Sequence, residues 1–273
     1  MDTQTIDQLL DRFEKTGVVG EGNARVKLIA NRLVRDLMIA IEELDITPDE
    51  FWTGLNFFAE AGRNGELGLI APGIGLEHFL DLRMDEAEAR AGLKGGTPRT
   101  IEGPLYVAGA PVAQGEARLD DGQTPGEVVL MQGVVRGTDG QPVANAQVEV
   151  WHANDLGNYS FFDKSQSAFN LRRTIVTDAQ GRYKFRSVMP VGYSCPPGGA
   201  TDRLLQLLGR HGNRPAHIHF FVSAPGHRKL TTQINIDGDP LLFDDFAYAT
   251  REGLVPPLVE RTDAASIQAN GLN

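Results

Sequence analysis

Two histidines one residue apart, His217 and His219, follow Arg214 in the run Arg214-Pro-Ala-His-Ile-His-Phe-Phe-Val. Aromatic and β-branched residues after a proline read as a strand. Side chains alternate along a strand, so both imidazoles share a face beside the guanidinium. A His-x-His pair by itself is more often a hydrogen-bonded buried pair than a ligand set. Two tyrosines upstream shift that balance. Tyr159 sits in Trp151-His-Ala-Asn-Asp-Leu-Gly-Asn-Tyr-Ser, a segment leaving a strand, and Tyr193 in Pro190-Val-Gly-Tyr-Ser-Cys-Pro-Pro, where glycine and prolines restrict the backbone. Each alone reads as a partly buried tyrosine with a satisfied hydroxyl. Together with the histidines they form a set of two phenols and two imidazoles.

A phenol loses its proton only near pH 10 in water, so it becomes a ligand at neutral pH only against a strong Lewis acid. Hard anionic oxygens select a hard, highly charged cation, whereas zinc and copper favour imidazole and thiolate. The chain holds a single cysteine, Cys195. Ferric iron is therefore the expected occupant. Two phenolates and one hydroxide neutralise its three positive charges and make burial tolerable.

The 273 residues allow one large domain, or one domain with an appendage. An apolar fraction of 41% and a charged fraction of 23% suit a soluble globular protein with a sizeable core. A net charge of −10 argues against a nucleic-acid surface. One cysteine excludes an intramolecular disulfide and fits a reducing cytoplasm. The N-terminus lacks the basic start and apolar run of a signal peptide, and no stretch approaches the roughly 20 apolar residues that span a bilayer. A cytoplasmic protein without membrane insertion is expected.

Residues 1–100 read as helical. Val26, Ala30, Val34, Met38 and Ile29, Leu33, Leu37, Ile41 make two adjacent rows at helical spacing, one broad apolar stripe suited to packing within its domain or to a second subunit. Thr47-Pro-Asp-Glu is a helix start with a capping box, and that helix runs to about Gly62. Gly68-Leu-Ile-Ala-Pro-Gly-Ile-Gly lacks the lysine of a phosphate loop and the context of a dinucleotide fingerprint, and reads as an apolar loop lining a pocket. Residues 92–126 read as loop. From Val128 the period becomes two, with strands expected at 128–136, 146–152, 172–177, 182–188, 217–223 and 229–236 and a short helix at 201–208. Strands at this spacing, with no helices between them, predict an antiparallel β-sandwich with the four ligands meeting at its loop end. The segment 254–273 carries weak signals.

Several motifs extend the reading beyond chemistry alone: Thr100-Ile-Glu-Gly-Pro-Leu-Tyr-Val, Trp151-His-Ala-Asn, Gly157-Asn-Tyr-Ser, Phe169-Asn-Leu-Arg-Arg, Gly209-Arg-His-Gly-Asn-Arg-Pro-Ala-His-Ile-His, Leu230-Thr-Thr-Gln-Ile-Asn and Asp244-Asp-Phe-Ala-Tyr-Ala-Thr-Arg. With these the chain resembles the intradiol ring-cleaving dioxygenases over nearly its whole length. The resemblance implies a mainly β fold: a helical dimerisation and linker region at 1–100, and an antiparallel β-sandwich catalytic domain at 101–273. It implies one non-haem Fe(III) per chain on Tyr159, Tyr193, His217 and His219, with Tyr193 the ligand that leaves when substrate arrives. The departing Tyr193 phenolate and the bound hydroxide then accept the two protons of the diol. Arg214 and Gln233 match residues that stabilise developing negative charge. Leu69, Pro72, Ile101, Pro104, Leu105, Phe246 and Ala247 match the wall around a flat aromatic diol, and Cys195 is expected in the same region.

The implied reaction is cleavage of catechol by O2 to cis,cis-muconate, a step of aromatic catabolism through the β-ketoadipate route. Chlorocatechol or hydroxyquinol stand as alternative preferred substrates. The implied partners are a second copy of the chain through the N-terminal helices and a phospholipid in a tunnel between them. Relatives continue into a further strand beyond the position of Asn273. A non-catalytic sandwich module, suggested by Val134–Val150 with its Asp-Gly-Gln-Pro segment, leaves the Tyr/His set unexplained. A zinc hydrolase on the histidine pair lacks a His-Glu-x-x-His motif.

Overall fold

The computed structural model describes residues 1–93 and 95–270; the chain end at Asn273 lies outside the described residues. The chain divides into two compact units, Met1–Arg63 and a larger unit from Asn64 onward. The first holds α1 (Thr3–Glu14), α2 (Ala24–Glu43) and α3 (Pro48–Arg63). Their starts follow from side-chain caps. Asp2 accepts the Thr5 N–H at 2.8 Å and Asn23 the Val26 N–H at 3.0 Å. The capping box forms as read from sequence: Glu50 Oε2 accepts the Thr47 N–H at 2.9 Å, and Thr47 Oγ1 the Glu50 N–H at 3.3 Å. The apolar stripe of α2 is uncovered in the single chain, with Val26, Ile29, Leu33, Val34 and Leu37 exposed and no residue of the helix buried.

The larger unit begins with α4 (Leu67–Gly73) and α5 (Leu76–Arg90), continues through ten strands and α6 (Ala200–Leu207), and includes α7 (Ala264–Ala269). The strands are β1 (Val112–Gln114), β2 (Glu116–Arg118), β3 (Val128–Val134), β4 (Gln147–His152), β5 (Arg172–Val176), β6 (Arg182–Val188), β7 (Tyr193–Ser194), β8 (Asn213–Arg214), β9 (His217–Ser223) and β10 (Leu230–Asn235). A five-stranded sheet has the order β1-β5-β4-β9-β10, a three-stranded sheet β2-β6-β3, and β7 pairs with β8. Two departures from expectation stand out. The Gly68–Gly75 segment, read as a loop, is mostly the short helix α4, with Pro72 in its last turn. The sheets, read as antiparallel, are mixed: β1 runs parallel to β5 and β2 parallel to β6. Strands of three residues in a Gly- and Pro-rich stretch carry too little period-two pattern to be seen.

The two larger sheets face each other across Leu119, Val148, Val150, Ile175, Phe185, Ile218 and Phe220, all fully or almost fully buried. Alternation along β9 sends Ile218 and Phe220 into this core and leaves His217, His219 and Phe221 on the opposite face. The histidines thus sit on the outer face of the five-stranded sheet under a roof of loops, rather than at the loop end of the sandwich. Among the described residues no helix is long and apolar enough to cross a membrane.

Candidate active site

Register on the five-stranded sheet sets the first contacts. Trp151 on β4 is directly opposite His219 on β9, and their rings stack 4.8 Å apart with planes 5° from parallel. Tyr106 and Phe221 close around the other edges of the indole, at 5.1 and 4.7 Å between centroids. His217 Nδ1 lies 2.7 Å from the Pro215 carbonyl oxygen, which can only accept. The proton is therefore on Nδ1, and Nε2 presents a lone pair. That Nε2 is 3.0 Å from His219 Nε2, so the two ring nitrogens converge.

The tyrosines arrive on two loops that must approach closely. Beyond β4, Asn154 Oδ1 accepts the N–H groups of Leu156 and Asn158 at 3.0 and 2.9 Å, folding the segment so that Tyr159 points inward. Gly157 has φ of +79°, and a Cβ there would lie 3.0 Å from the Tyr193 Cβ. Gly192 abuts Arg214, whose carbonyl oxygen would be 2.4 Å from an added Cβ. Only glycine permits both approaches. The β7–β8 pairing then sets Tyr193 against Arg214. The Tyr159 and Tyr193 rings are 5.4 Å apart, Tyr193 is 5.5 Å from His217, and Tyr159 is 6.4 Å from His219. All four sequence-read ligands are brought together.

Arg214 is buried beside them. Its Nη1 is 3.0 Å from His217 Nε2 and 3.4 Å from the Tyr193 hydroxyl, and its Nη2 donates to Gln233 Oε1 at 2.8 Å. Sequence reasoning missed what aims it: Asp245, which accepts from Nε at 3.1 Å and from Nη2 at 3.0 Å. A fully buried guanidinium demands such an anion, and the Asp-Asp pair before Phe246 was the available signal. The same carboxylate accepts the N–H groups of Ala247 and Ala249, fixing the segment that carries Phe246 and Ala247.

Of the pocket-wall residues, Ile101, Phe246 and Ala247 form one buried cluster with Cys195, Leu205 and Ala249. Pro72 is buried on α4, and its neighbour Gly73 touches Phe246. Leu105 packs against the Trp151–Tyr159 cluster, Leu69 is half-buried on α4 and Pro104 is exposed beside Gly68. Two polar groups unrecognised from sequence hold this wall. Arg210 donates to the carbonyls of Gly73 and Phe246, and Glu66 accepts the first N–H groups of α6 at Ala200 and Thr201.

The residues fit a trivalent metal. Burial, and secondarily the Arg214 charge, pushes His217 down to about 3; burial holds His219 well below the ordinary imidazole range, so both rings are neutral ligands. Tyr159 Oη is buried and makes no hydrogen bond of ordinary geometry, a cost of roughly 1–3 kcal/mol that a bound cation would relieve. Burial raises the Tyr159 phenol well above its ordinary range, and the neighbouring Tyr193 adds to this, so only a strong Lewis acid could displace its proton. Among the described residues no cluster of three or more His, Cys, Asp or Glu side chains could hold a metal, which leaves the zinc-hydrolase arrangement unformed there. The Cys195 thiol is pushed up to about 11 by burial, consistent with an inert wall residue.

Comparison with known proteins points the same way. The family model described as "Dioxygenase" matches residues 101–271, and that described as "Catechol dioxygenase N terminus" matches 23–92. The chain is 70% identical over 256 residues to catechol 1,2-dioxygenase 2 of Acinetobacter lwoffii, covering 94% of this chain and 93% of that one. It is 58% identical over 275 residues to catechol 1,2-dioxygenase of Acinetobacter guillouiae, covering 100% and 90%. The crystal structure of wild-type Acinetobacter radioresistens catechol 1,2 dioxygenase superposes with a TM-score of 0.96 at 56% identity, over 100% of this chain and 89% of that one.

Proposed function

From the premise that the chain belongs to the intradiol ring-cleaving dioxygenases, we propose that it opens the ring of catechol with O2 between the two hydroxylated carbons, giving cis,cis-muconate. The observation that carries this reading is the convergence of Tyr159, Tyr193, His217 and His219 beside a carboxylate-aimed arginine. Those four side chains would hold one non-haem ferric ion per chain, which when bound supplies Lewis acidity to the two diol oxygens and makes the ring reactive toward dioxygen.

The chain's own groups have separable tasks. Tyr193 is less enclosed than Tyr159 and its hydroxyl is within reach of Arg214 Nη1, which suits it to leave and take a diol proton. Arg214 and Gln233 are fixed donors, held by Asp245 and by the Gln233–Asn235 hydrogen bond at 3.0 Å, and face charge that develops on the substrate. The apolar wall from Ile101, Pro72, Phe246 and Ala247 orients an unsubstituted ring and excludes water. Leu69, Pro104 and Leu105 complete it. The catalytic domain on this reading is 101–273, and the helical region before it serves dimerisation. The uncovered stripe of α2 supports a homodimer, with an apolar space between helices able to take a lipid chain. A single free cysteine suits a cytoplasmic setting.

Oxygen uptake by the ferric protein tests the reading. One O2 consumed per catechol, a dienoate absorbance and a visible phenolate-to-iron band are expected. Tyr193→Phe should reshape that band. A colourless ferric-loaded protein would refute the ligand set, and faster turnover of chlorocatechol or hydroxyquinol would move the preferred substrate.

A further inference from the structure

Arg172 opens β5 and is 1% exposed, yet among the described residues no carboxylate pairs with it. Its Nε donates to Ser160 Oγ at 2.9 Å, its Nη1 to the Leu105 carbonyl at 2.9 Å and its Nη2 to the Ser160 carbonyl at 3.0 Å. All three acceptors are neutral. The guanidinium carbon stands 5.8 Å from the centre of the Tyr159 ring. Arg214, the other buried guanidinium at the site, is neutralised by a two-point pair with Asp245.

An uncompensated buried cation costs several kcal/mol unless an anion eventually faces it. The side chains around it give no such anion: His152 and His219 are neutral, and Tyr106 turns its hydroxyl to Glu149. The group that can become anionic against Arg172 is Tyr159, once its oxygen is bound to a metal. Tyr193, on the other side, faces an arginine whose charge is already cancelled.

We propose that Arg172 is the buried counter-charge of the Tyr159 phenolate, a positioning residue that marks Tyr159, rather than Tyr193, as the phenolate retained through turnover. This rests on the ligand set proposed above and adds an asymmetry between its two tyrosines. The Leu105 bond also ties the pocket wall to the Tyr159 loop, so charge and geometry must be separated by experiment.

Ferric-loaded Arg172→Gln and Arg172→Lys separate them, each made in the wild-type and in the Tyr193→Phe background. Near-UV circular dichroism, iron content and the phenolate-to-iron absorption band are the readouts. A positive charge beside a phenolate lowers the energy of its electrons, so removing it should move the band to longer wavelength by on the order of 10 nm. Arg172→Gln should show that shift in both backgrounds, whereas Arg172→Lys, which keeps the charge, should stay within about 5 nm of the parent. An unshifted glutamine variant overturns the proposal. So does a shift that vanishes in the Tyr193→Phe background, or a lysine variant that shifts as far as glutamine. If Arg172→Gln does not fold, the lysine variant decides: folded and unshifted supports the proposal, shifted or unfolded overturns it. Absence of any band in the parent ferric protein would instead refute the ligand set itself.

Discussion

Replacing Asp245 by asparagine removes one charge and little volume, and the outcome can be worked bond by bond. Oδ1 accepts from Arg214 Nε at 3.1 Å and from the Ala247 N–H at 3.0 Å; Oδ2 accepts from Arg214 Nη2 at 3.0 Å and from the Ala249 N–H at 3.3 Å. Whichever way the amide is turned, its NH2 group loses one guanidinium bond and one backbone bond. Both side chains are almost fully buried, and stripping a buried arginine of its anion costs about 3–5 kcal/mol. Arg214 outweighs burial and holds the Asp245 carboxyl below its ordinary range. The stability this supplies is present above the unfolded value of 3.8 and is lost as pH falls through the lowered folded value, so wild type and variant should converge in strong acid. In catalysis, Arg214 Nη1 would no longer be fixed toward the substrate site, a loss of about 10²-fold in kcat by analogy with other fixed donors. KM should rise less, through loosening of Phe246 and Ala247. Steady-state oxygen uptake with catechol, read against melting temperature and iron content, checks this. Unchanged kcat in an iron-loaded Asp245→Asn protein would refute the positioning argument, and a loss accounted for wholly by missing iron would reduce Asp245 to a structural role.

Two further outcomes follow from the same geometry. Burial lifts the Asp81 carboxyl to about 6 despite Arg251 and Arg99; the fold thus binds an extra proton between 3.8 and about 6, and its stability declines across that window. Asp81→Asn should therefore stabilise by about 1–3 kcal/mol at pH 7.5 and change nothing near pH 3.5, and equal melting shifts at the two pH values would contradict this. Gly192→Ala would drive a methyl into the Arg214 carbonyl, costing about 1–3 kcal/mol and lowering ferric content as Tyr193 moves. A variant with parental melting and iron content would show that the approach is not tight.

Six longer strands were legible because each carries a period-two run or a buried β-branched one, and their observed bounds differ from those read by at most two residues. The capping box at Thr47 and the short helix before Leu208 were equally local and equally visible. Gly68–Gly75 was misread because glycine and proline signal a loop, while the hydrophobic contact between α4 and Phe246 is a tertiary fact. The Tyr/His set could be found from side-chain chemistry alone. Its supports could not: Asp245 is 31 positions from Arg214, Glu66 is 134 from Ala200, and Leu105 is 67 from Arg172. Hydrogen bonds between such distant segments leave no spacing to read, and the parallel pairing of β1 with β5 is equally non-local.

Strand β9 does two jobs with one period. Ile218 and Phe220 are pinned between the sheets, so His217 and His219 inherit their height and direction from an unyielding support. A one-residue slip would expel both imidazoles into the hydrocarbon interior and bring isoleucine to the iron side. Diversification of substrate range is thus channelled away from the sheet and into the roof, where α4 and the segments around Ile101 and Phe246 can be remodelled without disturbing the ligands. An enzyme engineer seeking bulkier diols should randomise that roof and leave the floor untouched.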